Sequence, residues 1–393
     1  MSLPFLICIL AFAVFVYTYV GYPTILWLVG RFRAKPLPTE LGSGEEWPTV
    51  SITVPMYNEE AQARGLVESL LALDYPRDRL QILVVSDASS DATDEIVRGY
   101  ADRGVELHRM PERGGKTKAE NAAAELITGD IVVNTDASIR IHPDALKKLL
   151  VVFRDPEIGL ASGRDRSVGV GEAAESVGEA GYVGYEMAVR DLETETGSII
   201  GASGCFYAIR VHLHRLPLPD SLSRDFAAAL HTQEHGYRAV SVSSAVCDVP
   251  RTPSLHKEFR RKVRTITRGI QTLVYKRALL NPFRHGGFAL KLFSHKICRW
   301  LLPWAAMATY VSLGFLAPGS VIAATLFGLG TAVLLLGAAG WFMAAKGSPP
   351  KVLRVPAFVL AGNLAAAQAL LRVLAGDRDA LWEPTRRDPT PVS

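Results

Sequence analysis

Asp136 closes the apolar run Ile131-Val132-Val133-Asn134-Thr135. A carboxylate just past a strand is placed to hold a metal on a substrate phosphate, because hard cations take oxygen ligands. The plainer role is to start a turn or cap a helix. Asp87 follows a second apolar run, Leu80 to Val85, within Ser86-Asp87-Ala88-Ser89-Ser90-Asp91. It could equally cap the helix starting at Asp91. Lys116 follows two glycines in Arg113-Gly114-Gly115-Lys116 and opens another helical stretch. Asp225 stands at a further helix start, in Ser223-Arg224-Asp225-Phe226, where capping is again the simpler role. Gly201-Ala202-Ser203-Gly204 puts small residues before a strand-like run, so a backbone could approach a ligand closely.

These positions need elements to hold them. Strand patterns at Val50–Val54, Leu80–Val85, Val105–His108 and Ile131–Asn134 alternate with helical stretches reaching about Leu73, Tyr100, Leu126 and Phe153. That alternation predicts an α/β domain with a mixed, mainly parallel sheet and helices on both faces. In such sheets ligands bind beyond the carboxyl ends of the strands. Each of these strands ends in polar or charged residues, so the candidates gather at one edge. After Arg154 the pattern loosens: Gly159–Gly163 and Ala239–Val246 read as strands, and Gly171–Glu195 as an acidic helix.

The 393 residues allow two or three domains. Mean hydropathy is positive, so part of the chain belongs in lipid. A net charge of +4 is too small to argue for nucleic acid. The four cysteines, Cys8, Cys205, Cys247 and Cys298, have neither zinc-ligand spacing nor a disulfide framework, which fits a reducing cytosolic domain. Leu3 to Val29 carries no charge and exceeds the roughly 20 apolar residues that span a bilayer. It lacks the basic start, short core and cleavage site of a signal peptide, and reads as an uncleaved anchor. Arg31, Arg33 and Lys35 follow, which puts that end and the domain beyond it in the cytoplasm. Leu255 to Tyr275 is basic and amphipathic and suits a membrane surface, or is an ordinary helix with a solvated basic face. Apolar segments follow at Trp300–Leu316, Val321–Ala345 and Val355–Leu374. The uncharged Ala317-Pro318-Gly319 makes the first two a hairpin. The third is Ala-rich, contains Asn363 and Gln368, and is expected to lie in the interface or form a re-entrant hairpin rather than cross.

Together these stretches resemble the membrane-embedded family 2 glycosyltransferases, the hyaluronan, poly-N-acetylglucosamine and cellulose synthases. The resemblance covers nearly the whole chain. It is nearest to a bacterial branch with Ser294-His295-Lys296 and Arg299-Trp300-Leu301 before a membrane helix, and Trp382-Glu383-Pro384-Thr385-Arg386-Arg387 near the end. It implies a GT-A-like fold and inverting transfer from a UDP-sugar in polysaccharide synthesis. Residue by residue, Pro55, Tyr57 and Glu59 match the motif lining the nucleotide base and ribose. Asp87 matches the carboxylate on the uracil, and Lys116 a lysine near the donor. Asp136 matches the first Asp of Asp-x-Asp, which holds Mg2+ or Mn2+ on the diphosphate. Asp225 matches the catalytic base. Arg261 and Arg264 match the Gln-x-x-Arg-Trp motif near the diphosphate and acceptor mouth. Three positions depart: Ser138 for the second Asp, Arg224 for the first acidic residue of the catalytic pair, and Thr265 for the Trp. Arg224 beside Asp225 is expected to lower its pKa and weaken it as a base.

The implied division is an anchor at 1–30, a linker at 31–46, a cytosolic glycosyltransferase domain at 47–251, interfacial helices at 252–299, membrane helices at 300–376 and a cytosolic tail at 377–393. The implied location is a bacterial-type inner membrane. The implied partners are a nucleotide-sugar donor, a saccharide or lipid-linked acceptor and membrane lipids. Simpler roles stay open: Tyr57 as core, Lys116 as a solvated helix-start residue, Arg261 and Arg264 as lipid-headgroup ligands. Two other activities also stay open, single transfer to a lipid phosphate and a catalytically weakened nucleotide-binding scaffold.

Overall fold

The computed structural model describes residues 2–168, 177–250, 254–347 and 349–376. The chain enters through α1 (Leu3–Val16) and α2 (Tyr22–Arg33), joined by a π-helical turn at Tyr17–Gly21 into one 31-residue apolar rod. The domain then runs β1 (Val50–Met56), α3 (Glu60–Leu71), β2 (Leu80–Ser86), α4 (Thr93–Arg98), β3 (Val105–Arg109), α5 (Lys116–Ala123) and β4 (Ile131–Thr135). It continues through β5 (Arg140–Ile141), α6 (Ala145–Leu150), β6 (Ile158–Val168), α7 (Val177–Glu195), β7 (Phe206–Arg210), α8 (Val211–His214), α9 (Arg224–Glu234) and β8 (Arg238–Pro250). After it come α10 (Leu255–Tyr275), α11 (Pro282–Leu292), α12 (Cys298–Leu316), α13 (Val321–Ala344) and α14 (Lys351–Leu374).

All seven residues of β1 are buried, because helices cover both faces of the sheet and neither needs to be polar. Successive strand residues serve opposite faces. Ile82 and Val84 join the core with Leu66 and Leu70 of α3, while Leu83 and Val85 pack on Ala119 and Ala123 of α5. The strand order is β3-β2-β1-β4-β7-β6-β8-β5. The first four strands are parallel, β7 opposes both β4 and β6, β6 and β8 are parallel, and β5 opposes β8. The sheet is mixed and mainly parallel, as the alternation predicts. The parallel strands β2 and β4 flank β1, so Asp87 and Asp136 follow their carboxyl ends on one edge.

Four helical segments are long and apolar enough to cross a membrane: Leu3–Arg33, Pro282–Gly319, Val321–Ala344 and Lys351–Leu374. The last is one uninterrupted helix, so the re-entrant hairpin is not formed. Its buried stripe is Leu353, Ala357, Ala361, Ala365 and Ala369, four residues apart. Small residues at that spacing let another backbone come close. A Cβ on Gly340 of α13 would meet the Leu353 carbonyl at 2.7 Å, and one on Gly337 the Pro356 carbonyl at 3.1 Å. Phe358, Val359 and Asn363 line one cavity with Leu302 and Pro303, near the start of α12. The end of α13 and the start of α12 are the same end of their hairpin, and the first half of α14 packs there. The Trp382–Arg387 motif and the 377–393 tail fall outside the described residues.

Candidate active site

The strand ends open on a cavity of about 670 Å³, lined by Glu59, Lys116, Asp136, Asp225, Arg261 and Arg264 among others. Six of the nine residues singled out from the sequence therefore converge. Pro55, Tyr57 and Asp87 do not line it. Pro55 pairs with Val85 inside the sheet, and Tyr57 carries the Arg113 guanidinium over its ring at 4.0 Å. Asp87 accepts the Gly114 and Gly115 amides at 2.7 and 2.8 Å, one on each oxygen. Gly115 has φ +86°, which glycine adopts without strain. Asp87 thus clasps the turn that launches α5 and aims its first residue, Lys116.

The Lys116 ammonium lies 2.5 Å from Asp136 Oδ1 and 3.2 Å from the Gly204 carbonyl. Burial opposes its charge, but Asp136 and Glu120 outweigh burial and raise its pKa above the usual lysine value. Asp225, in the first turn of α9, accepts Ser223 Oγ at 2.5 Å. A Cβ on Gly204 would sit 2.7 Å from Asp225 Oδ2, so this backbone passes close beside the carboxylate. Asp136, Lys116, Gly204 and Asp225 form a continuous polar line. Ser138 and Thr265 also face the cavity. Glu59 begins α3, its amide held by Thr93 Oγ1 at 2.8 Å. Arg261 is paired with Glu258 at 2.7 and 2.8 Å.

Arg224 does not turn toward Asp225. Its guanidinium donates to Asn121 Oδ1 and to the His214 carbonyl, and lies 3.9 Å from Glu120. Among the described residues its side chain makes no hydrogen bond or ion pair with Asp225. Glu120 is 1% exposed and Arg224 7%, and both oxygens of Glu120 lack a hydrogen bond. Burial raises the Glu120 pKa, with Lys116 and Arg224 only partly offsetting it. Arg224 is therefore a buried counter-charge to the floor of the site.

Several site residues escape the sequence reading. Arg268 of α10 donates to the Leu222 and Asp220 carbonyls at 2.7 and 3.1 Å, bracing the turn before Asp225. Asp165 on β6 accepts Ser203 Oγ at 2.6 Å, and burial raises its pKa. Arg190 of α7 donates to the Gly201 carbonyl at 2.5 Å. Only the placement of Glu120 four residues after Lys116, on one helix face, leaves a trace in the sequence.

At the strand end a cation would find the Asp136 carboxylate. Among the described residues no three His, Cys, Asp or Glu side chains form a metal cluster. That donor set fits Mg2+ or Mn2+ arriving with a diphosphate, since such ions are held by one or two carboxylates plus substrate phosphates and water.

The sheet order, with its cavity at the carboxyl edge, is that of a GT-A-like fold. The sequence profile of Glycosyl transferase family 2 matches residues 51–213 of the 393. An N-acetylglucosaminyltransferase of Mesorhizobium japonicum is 34% identical over 136 residues, 34% of this chain and 32% of that one. A hyaluronan synthase of Streptococcus pyogenes is 28% identical over 221 residues, 51% and 52% of the two chains. The matched region thus spans about half or less of these relatives. A mannosyltransferase from Pyrobaculum calidifontis, solved with GDP-Man and Mn2+, superposes with a TM-score of 0.71 over 94% of this chain and 99% of that one, at 24% identity. That likeness extends the shared fold to the helices outside the domain.

Proposed function

We propose that the protein transfers a glycosyl unit, with inversion, from a UDP-sugar to an acceptor hydroxyl in the synthesis of a cell-surface or extracellular saccharide. The observation that carries this reading is the line Asp136–Lys116–Gly204–Asp225 along one cavity wall. Asp225 takes the acceptor proton as the acceptor oxygen bonds to the anomeric carbon. The bond from that carbon to the diphosphate oxygen breaks, and its electron pair leaves with UDP. Lys116, Arg261 and Arg264 supply positive charge where the leaving diphosphate gains negative charge. A divalent ion held at Asp136 would add Lewis-acid stabilisation of the same oxygens. The Gly201–Gly204 backbone holds the sugar in line between donor and base. A single base and one displacement give the inverted anomer.

In this reading α1 and α2 anchor the domain on the cytoplasmic face of the inner membrane, α12 and α13 form a membrane hairpin, and α14 lies in the interface. The scaffold alternative loses its main support, because the Arg224 guanidinium is committed to Glu120, Asn121 and His214 and leaves Asp225 open to the cavity. The test is nucleotide release by the purified full chain with Mn2+ across a panel of UDP-sugars and GDP-mannose, with product masses. Release from one UDP-sugar with a mass gain on the acceptor is expected. No release from any UDP-sugar would sink the reading, and release from GDP-mannose alone would change the donor.

A further inference from the structure

The cavity does not end at Asp225. It is also lined by Phe226, by Lys296 in the turn before α12, by Leu302 and Pro303 of α12, and by Phe358, Val359 and Ala366 of α14, with the Lys262 ammonium over the Phe358 ring at 3.8 Å. Both helices are apolar enough for a bilayer. One cavity therefore holds both the candidate base and apolar side chains of two bilayer-compatible helices.

Its charge is unbalanced in one direction. The Lys296 ammonium stands over the Phe226 ring, 5.0 Å from its centroid, and 4.0 Å from where a Cβ on Gly201 would be. It has no hydrogen-bond or ion-pair partner among the described residues. Arg190 is 6% exposed and uses its guanidinium on one acceptor, the Gly201 carbonyl. The nearby carboxylates are already committed. Glu186 faces His295 Nε2 at 2.9 Å and accepts from Arg299. Glu193 faces His295 Nδ1 at 2.6 Å and accepts from Tyr22 at 2.5 Å and from the Ile200 amide at 3.3 Å. Two enclosed cations with spare donors are costly to keep unless an anion enters to meet them. Gly201 and Gly204 are three residues apart, at most about 11 Å along an extended chain. An anion at Lys296 is thus within a short saccharide of Asp225.

Resting on the glycosyltransferase reading above, we propose that Lys296 and Arg190 form a subsite for the phosphate of a lipid-linked acceptor. Its hydrocarbon chain lies between α12 and α14, and its sugar hydroxyl reaches Asp225. A phosphate offers both cations charge-assisted hydrogen bonds, and the cleft excludes water from the chain.

The test uses the full chain in phosphatidylcholine nanodiscs, with farnesyl phosphate as probe and farnesol and inorganic phosphate as controls. Farnesyl phosphate should bind, and both controls should bind at least about tenfold more weakly. Lys296→Gln should weaken farnesyl phosphate binding about ten- to a hundredfold, the equivalent of one charge-assisted hydrogen bond. Lys296→Arg should restore it, and UDP affinity with Mn2+ should be the same in both variants, which shows that they fold. Farnesyl phosphate binding unchanged in Lys296→Gln would overturn the proposal. So would no binding to the unaltered chain, equal binding of inorganic phosphate (an anion site without a lipid) or equal binding of farnesol (an apolar cleft without a phosphate). The UDP measurement reports separately on the donor site, so the two readings fail independently.

Discussion

The Lys116 ammonium sits 2.5 Å from Asp136, on the strand end where a diphosphate and its cation would bind. The pair keeps a buried lysine charged and holds the carboxylate in place before the donor arrives. Asp136→Asn should therefore lower UDP affinity in Mn2+ by about tenfold or more, and the EDTA-sensitive part of binding should vanish. Titration calorimetry with and without chelator reads both. Equal affinities in the two proteins would remove Asp136 from the metal site.

Glu120 and Arg224 give a second expectation, opposite to the one the sequence suggests. By family pattern, an acidic residue at 224 would repair the catalytic pair. In the structure Arg224→Asp would set a second carboxylate near Glu120 and strip it of a counter-charge. Breaking a buried pair this way costs about 3–5 kcal/mol. The variant should melt well below the parent and show no gain in transfer. Thermal unfolding in nanodiscs and nucleotide release decide it.

Acid should loosen the joint between α7 and the membrane helices. Burial opposes ionisation of Glu186, but His295 and Arg299 hold its carboxyl well below the usual range. Glu193 is likewise lowered against burial, with His295 the main opposing cause. Their folded pKa values lie below the unfolded value of about 4.3. The unfolded chain then binds more protons between those values, so stability is complete above about pH 4.3 and is lost as pH falls through the folded values. The melting temperature should be flat from neutrality to about pH 5 and drop below pH 4. Glu186→Gln should show a shallower acid drop.

The packing of α14 at the hairpin's end predicts its topology. Its Leu353 and Ala357 meet Gly340 at the close of α13, and Asn363 shares the cavity with Pro303 near the opening of α12. A reporter fused after Ser393 should therefore lie on the same side of the membrane as one inserted in the linker at 42–44. Opposite sides would mean that α14 crosses.

Much of this was legible in the sequence. β1, β2 and β4 are mainly apolar runs closed by polar residues, β3 alternates, and α10 spans the Leu255–Tyr275 stretch that its charge and apolar spacing delimit. The direction of β7 was not legible. Its Phe206–Ile209 core is buried on both faces, and such a run carries no mark of which way it pairs. β5 has two residues, too few for any pattern. α11 was hidden by Gly286 and Gly287, and Gly286 breaks the helical backbone with φ +50°. Arg224 misled for a geometric reason. Adjacent residues on a helix point about 100° apart, so neighbours in sequence face different partners. Arg190 and Asp165 join the cavity only through tertiary packing, and nothing local announces them.

Asp225 is the group assigned to deprotonate the acceptor. The most direct measurement compares Asp225→Asn with the unaltered chain in two assays on the same preparation, UDP binding with Mn2+ and sugar transfer. Removing a base acts on the transition state far more than on ground-state binding. UDP affinity should stay within about threefold, and turnover should fall by at least about 10²- to 10⁴-fold, the range of general-base catalysis. Near-normal turnover in Asp225→Asn would contradict the account and leave Asp225 as nothing more than a residue at the start of α9.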